Sequence, residues 1–269
     1  MAIHPAAVID REAQIDPSAE VGAYAVVERA VTIGPHCRLW PHAYVAAGTT
    51  LGRGVQVHPF AVVGHAPQDL KYGGEPTYTR IGDDTILREH SSIHRGTAPG
   101  STTVVGARCF IMAAAHVGHN CFVGDDVKMA NGVLLAGHCQ VGSGAFLSGL
   151  SGVHQFVRIG ELVMLGGATI AVTDVPPYLL AARERGLASV NTIGLRRAGF
   201  SAETRQELRE CYRLLFRSRL PRTAALEQAL ERFHSEPARR LLAFVAEPSR
   251  RGLMRYVPRA RSGGGDAAD

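Results

Sequence analysis

The sequence predicts a mainly β fold, a parallel β-helix built from hexapeptide repeats, followed by a C-terminal α-helical domain. Three observations predict it. An aliphatic residue returns every six positions over most of the chain, glycine often follows it directly, and the spacing turns helical only from Ser201 onward.

The aliphatic run starts at Ile3, Ile9, Ile15, Val21 and Val27 and goes on through Ile33, Leu39, Val45, Leu51, Val57 and Val63. It resumes at Ile81, Leu87 and Ile93. A second long run leads from Val105 through Ile111, Val117, Val123, Met129, Leu135, Val141, Leu147, Val153 and Ile159 to Leu165. All 25 positions share one phase in a chain that is 46% hydrophobic, the mark of a solenoid. A helix would space its apolar residues three and four apart. A further small or branched residue falls four places on, as at Val31, Val55, Ala61, Val127 and Ala145. Each hexapeptide therefore reads as a short strand plus a corner, and three of them close a triangular coil. Glycines such as Gly34, Gly82 and Gly118 are expected to serve those corners by adopting backbone conformations that branched residues resist. Coils paired as parallel strands roughly 4.8 Å apart would make about nine or ten coils and a prism about 45 Å tall.

The prism is expected over residues 1–175, with two excursions near 64–80 and 97–103, where Gly, Pro and polar residues replace the repeat. Pro176 and Pro177 are expected to block a further ladder. Residues 176–261 are assigned to the helical domain. Ser201 suits an N-cap with Glu203 in the first turn, and Leu208, Cys211, Tyr212, Leu215 and Phe216 form one apolar stripe. Thr223 is expected to cap a second helix carrying Leu226, Leu230 and Phe233, and a third is expected from Arg239 to Phe244. This domain would cover the open end of the solenoid. The Gly-rich tail 262–269 is expected to be disordered.

Charge concentrates at the C-terminal end. Residues 178–261 hold 18 Arg, no Lys and 8 Glu, against a net charge of +5 for the whole chain. Such a face attracts acidic or phosphorylated partners. Nucleic acid is disfavoured, because aromatic content is 6% and no nucleic-acid-binding motif accompanies the charge. The cysteines (Cys37, Cys109, Cys121, Cys139, Cys211) are odd in number and lack metal-type spacing, which suits reduced thiols and a cytoplasmic setting. The chain shows no apolar leader and no transmembrane stretch.

Of the 12 histidines, His94, His116, His119, His138 and His154 lie at separations that coils of about eighteen residues would stack near one vertical edge. Two chemistries fit such a cluster. Neutral imidazoles can hold a metal, as a γ-type carbonic anhydrase would, or one imidazole can act as a general base. A non-enzymatic solenoid scaffold is the alternative of another class.

Specific strings narrow the choice. QDLKYGGEPT (68–77), IHRGT (93–97), AHVGHNC (115–121), LAGH (135–138), VHQF (153–156), DVPPY (174–178) and NTIGLRRAGF (191–200) occur in this order. They resemble the acyl-carrier-protein-dependent UDP-N-acetylglucosamine O-acyltransferases, over nearly the whole chain. The resemblance implies a left-handed β-helix and a homotrimer with sites between neighbouring prisms. It also implies transfer of a 3-hydroxyacyl group from acyl-carrier protein to the 3-hydroxyl of UDP-N-acetylglucosamine, the first step of lipid A biosynthesis. No cofactor and no metal are implied, because the carrier protein supplies the acyl group. By the same resemblance His119 is the general base and the Gly137 N–H meets the developing oxyanion. Asp69, Lys71, His94, His116, His138, His154, Gln155, Asn191 and Arg197 would bind the substrates, and Gly167, beside Gly166, would leave room for a longer acyl chain. Where the family often carries Asp after the base, this chain has Asn120, so another group is expected to orient His119. A second Arg common after Arg197 is replaced by Ala198, and position 193 is Ile. Other hexapeptide acyltransferases, N-acyl or acetyl-CoA dependent, are the nearest alternatives. The N-acyl enzyme would carry a further N-terminal domain, for which Ile3 leaves no room.

Overall fold

The computed structural model describes residues 2–258. Between Ala2 and Ala171 the chain forms 26 short strands, most of two residues, that fall into three parallel sheets. Each sheet is one face of a triangular prism, and successive strands visit the first, second and third faces in turn. The first face begins at Ala2–Ile3, the second at Val8–Ile9 and the third at Gln14–Ile15. Neighbouring coils pair in register, for example Gln140↔Arg158 and Val141↔Ile159.

The six-residue phase places one aliphatic side chain per strand inside. From Val21 to Leu165 these positions are buried, whereas Ile3, Ile9 and Ile15 at the uncapped N-terminal end stay partly exposed. The residue four places on also points inward: Val31, Val55, Ala61, Val127 and Ala145 have no exposed surface. Four of the cysteines are corner residues of this core. The thiols of Cys37, Cys109, Cys121 and Cys139 donate to backbone carbonyls of Gly52, Gly124, Ala136 and His154.

The corners differ from the expectation in one respect. Of the glycines that directly follow the repeat's aliphatic residues, Gly64 alone is left-handed. Gly34 and Gly82 are there because coils approach closely: a Cβ would lie 2.8 Å from Gly52 carbonyl atoms at the first and 2.6 Å from the Gly106 carbonyl carbon at the second. The left-handed backbone falls two residues later and is mostly held by residues other than glycine, including His42, Phe60, Asn120, His138 and Phe156. Such a residue costs on the order of 1–2 kcal/mol. At most of these corners an added hydrogen bond offsets this, the N–H of the left-handed residue reaching a carbonyl of the preceding coil: His42 to Ala23 at 3.1 Å, Asp126 to Ala107 at 2.9 Å, Leu162 to Ser143 at 2.9 Å.

Both excursions leave the prism at the same edge, between the second and third faces. The first spans 66–77, from strand Val62–His65 to strand Tyr78–Ile81, and the second spans 95–101, from Ser92–His94 to Thr102–Val105. The second is therefore shifted from the expected 97–103, because Thr102 and Thr103 already pair with Tyr78 and Thr79.

Pro176 and Pro177 end only part of the ladder. The third face stops at the Ile159↔Val175 bridge beside them. The first face goes on, with Leu179–Ala182 parallel to Met164–Leu165 and Gly186–Val190 folded back antiparallel. Helices begin only at α1 (Thr192–Arg197), followed by α2 (Ala202–Arg217), α3 (Arg222–Arg232) and α4 (Glu236–Ala246). Ser201 caps α2 by accepting from the Thr204 N–H, and Glu203 lies in its first turn. The second helix starts earlier than expected: Pro221 takes the cap position and Thr223 lies inside, since proline's fixed φ suits a helix start. Ser235 caps α4. Leu195, Leu208, Cys211, Leu241 and Leu242 join one continuous core with the last coils. Arg240 pairs with Glu161 at 3.1 Å and the Tyr212 hydroxyl donates to the Leu187 carbonyl, fixing the helices on the prism. The tail 262–269 lies outside the described residues.

Candidate active site

The edge that carries both excursions also carries the histidines. Gln68, His94, His116, His119, Gly137, His154 and Gln155 line one open cleft of about 640 Å³ on the second face, floored by Leu134, Gly152 and Ile170. The ladder explains the convergence. His116 pairs with Ser92 and Leu134 in the coils on either side, and the His138 N–H donates to the His119 carbonyl in the coil before it.

His119 is held from several sides and is 93% buried, at 7% relative exposure. Its Nδ1 lies 2.9 Å from Asn120 Oδ1. That oxygen also accepts from the Thr97 hydroxyl at 2.8 Å and the Thr97 N–H at 3.2 Å, so it faces three donors. An amide oxygen can only accept, so Nδ1 carries the proton and Nε2 is left with its lone pair. Asn120 itself is left-handed (φ 58°), a conformation asparagine tolerates, and its N–H donates to Thr103 Oγ1. The expected replacement orienter is therefore not needed. Asn120 orients the ring, anchored by Thr97 from the second excursion. On the other side Asp69 Oδ2 from the first excursion stands 4.0 Å from Nε2. A Cβ at Gly137 would lie 2.4 Å from the His119 ring, so only glycine lets the imidazole sit there. Among the described residues the Gly137 N–H donates to no backbone carbonyl, while its carbonyl accepts from Phe156.

The neighbouring imidazoles are kept neutral. Burial, reinforced by His116, His65 and His119, pushes His94 down to about 4. Burial and then His119 lower His116, whose Nδ1 meets Ser92 Oγ at 2.8 Å. His138 is lowered by burial, His119 and Arg250, with Asp69 opposing. It does not line the cleft. Its ring sits edge-on to His119 at 5.1 Å and stacked on Phe156 at 4.8 Å. Among the described residues no group of three or more His, Cys, Asp or Glu side chains is arranged to hold a metal ion.

The remaining expected residues lie apart. Lys71 is exposed in the first excursion, its N–H bonded to Asp69 Oδ1. Asn191 and Arg197 line a different cavity, about 910 Å³, on the first face with Lys128, Phe146 and Met164. Asn191 also caps α1 and donates to the Leu162 carbonyl. Gly167 is exposed at the edge between the first and second faces. Sequence reasoning passed over Gln68 and Thr97, although both stand inside the strings quoted above. No spacing rule singles out a Thr whose role is to hold an amide.

Residues 30–65 match the bacterial transferase hexapeptide model, and residues 174–254 match domain 2 of UDP-N-acetylglucosamine O-acyltransferase. The acyl-[acyl-carrier-protein]–UDP-N-acetylglucosamine O-acyltransferase of Paraburkholderia phymatum is 48% identical over 94% of this chain and 99% of its own length. The chain belongs to the UDP-N-acetylglucosamine O-acyltransferase family. The protein of that name from Anaeromyxobacter dehalogenans is 47% identical, over 95% of this chain and all of its own. The solved family structures from Moraxella catarrhalis (41% identity, TM-score 0.91) and Acinetobacter baumannii (38%, TM-score 0.90) each cover 95% of this chain and all of their own. The prism is thus the left-handed parallel β-helix of this family, and the chain is an acyltransferase. No helix among the described residues is long and apolar enough to cross a membrane.

Because His94 takes up its proton at lower pH when folded than when unfolded, the folded state binds fewer protons between the two values. Its contribution to stability is complete above 6.5 and is lost as pH falls from 6.5 toward about 4. Urea midpoints measured across that window should decline in the natural protein and decline less in His94→Gln. Equal slopes would remove His94 as the source.

Proposed function

We propose that this chain transfers a 3-hydroxyacyl group from acyl-carrier protein to the 3-hydroxyl of UDP-N-acetylglucosamine, the first step of lipid A biosynthesis, with His119 as general base. The observation that carries the reading is the oriented His119 ring, held at Nδ1 by Asn120 with its Nε2 beside Gly137 in the cleft. A sugar hydroxyl attacks a thioester poorly until a base takes its proton. As the new C–O bond forms, that proton passes to Nε2, and the Asp69 carboxylate stabilises the imidazolium that results. The thioester oxygen becomes an oxyanion and the Gly137 N–H donates to it. Collapse breaks the C–S bond, and the imidazolium returns its proton to the departing thiolate. No covalent enzyme intermediate is needed, and the carrier protein brings the acyl group, so the chemistry asks for no separate cofactor.

His94, His116, His154 and Gln155 line the cleft where the sugar nucleotide would lie, with Asp69 and Lys71 on the excursion above and His138 behind the base. Asn191 and Arg197, on another face, would reach the nucleotide from a neighbouring copy, and this supports a homotrimer with composite sites. Arg197 there suits a diphosphate. The acyl chain would run over exposed Leu134 and Ile170 toward Gly167, where the absence of a side chain favours on the order of a dozen carbons, each buried methylene adding roughly 0.8 kcal/mol. Acyl-carrier protein and substrate both meet this chain in the cytoplasm on this reading.

In an acyl-transfer assay with UDP-N-acetylglucosamine and a panel of 3-hydroxyacyl carrier proteins, His119→Ala should lower kcat by roughly 10²–10⁴-fold. Retained activity would remove His119 as the base. Gly167→Met should shift the preferred acyl chain to a shorter one, and an unmoved preference would place the end of the groove elsewhere. His119→Ala and Arg197→Ala, each inactive alone, should regain activity when co-expressed as mixed oligomers. A mixture confirmed by mass yet still dead, or a fully active monomer, would refute composite sites.

A further inference from the structure

After α4 the chain returns to the prism as an extended strap over residues 247–258. Asp174 N–H donates to Gly252 O and Met254 N–H to Asp174 O, both at 2.8 Å, and Leu187 N–H donates to Arg255 O at 3.0 Å. Leu253 is buried against the core, and Tyr256 bridges to Gly186. The strap thereby carries Arg250 and Arg251 to the histidine edge. The Arg250 guanidinium lies 4.0 Å over the Phe156 ring. Arg251 Nε donates to the Gln155 carbonyl at 2.8 Å, and its Nη2 lies against His154 Nδ1. Among the described residues neither guanidinium meets a carboxylate.

A guanidinium has five donors and nothing with which to accept. His154 must therefore accept from Arg251 through a ring nitrogen, and acceptance at the nearer one, Nδ1, leaves the proton on Nε2. The rival tautomer would accept at Nε2, 3.3 Å from Nη2, and donate Nδ1–H to Gln155 O at 3.3 Å, but Nδ1 is the nearer nitrogen and that carbonyl already takes Arg251 Nε at the shorter distance. One planar fork thus fixes a side chain and the adjoining backbone together, from 96 and 97 residues away in the chain.

We propose that Arg251 is a positioning residue for the acceptor substrate: it holds His154 in the Nε2–H form and fixes Gln155, so that both present hydrogen-bond donors to the sugar nucleotide. This rests on the assignment of His154 and Gln155 to nucleotide binding. The helical domain then acts on the cleft of its own prism through the strap, besides any contact with a neighbour.

Steady-state kinetics of the full-length enzyme with Arg251→Ala should show KM for UDP-N-acetylglucosamine raised roughly tenfold, as for loss of a charge-assisted hydrogen bond, with kcat within about threefold of the natural value. Arg251→Lys should recover little, because one ammonium cannot serve both acceptors, whereas added methylguanidine should lower the KM of Arg251→Ala. Spectra of ¹⁵N-histidine protein should show His154 unprotonated at Nδ1, and a mixed tautomer in the Lys variant even if the Ala variant fails to fold. An unmoved KM in Arg251→Ala, or a natural enzyme protonated at His154 Nδ1, overturns the proposal. His154→Ala separates the two layers. If it raises KM while Arg251→Ala does not, only the role of Arg251 fails; if it leaves KM unchanged, the nucleotide assignment of His154 fails and takes the proposal with it.

Discussion

Everything in this molecule depends on a backbone ladder that runs along the prism axis. Each coil donates N–H groups to the carbonyls of a neighbour, and the left-handed residue at most corners adds a further bond to the coil before it. That corner bond makes an unfavourable backbone conformation tolerable for Asn120, His138 and Phe156. It also sets height. Once the ladder is in register, a residue's position around the triangle and along the axis follows from its place in the repeat. His119 and Gly137 are brought into contact by that arithmetic and by nothing local to either segment.

The period made the fold legible. Six-residue spacing predicts strands, corners, three faces and one inward aliphatic per hexapeptide, and the coordinates agree from Val21 to Leu165. Legibility fell where spacing stopped carrying information. The glycines were read for their conformational freedom, yet Gly34 and Gly82 are present because the next coil leaves no room for a Cβ. Two prolines were read as the end of the ladder, but they end only the third face, because a missing N–H matters only where a following coil would accept it. The helical domain was legible in its caps at Ser201 and in its apolar stripe, and illegible at Pro221, which begins a helix through its fixed φ and leaves Thr223 inside.

The site was legible as a cluster and much less so as a mechanism. Spacing brings His94, His116, His119 and His154 to one cleft. It says nothing about protonation, which depends on burial and on partners contributed by excursions. His94 is neutral because it is buried among other imidazoles, and His119 presents Nε2 because an amide oxygen, fixed by Thr97, accepts the hydrogen bond from Nδ1–H. Asn120 looked like the loss of a carboxylate. In place it is an acceptor with three donors, which settles the tautomer without adding a charge. Asn191 and Arg197 show the other limit, since they line a cavity on another face and nothing in the histidine cleft reveals them.

Both excursions leave from the edge that holds His119, and apart from one register shift between Val63 and His65 the strands pair on across them. Tyr78–Ile81 resumes its pairing with Thr49–Leu51 on one side and Thr102–Val105 on the other as though no residues had been inserted. The strand register beneath the cleft is therefore set independently of its rim. The imidazole that rests on Gly137 also leans on Thr97, through Asn120, and on Asp69, so a change in loop length acts on it through those two residues and not through the strands.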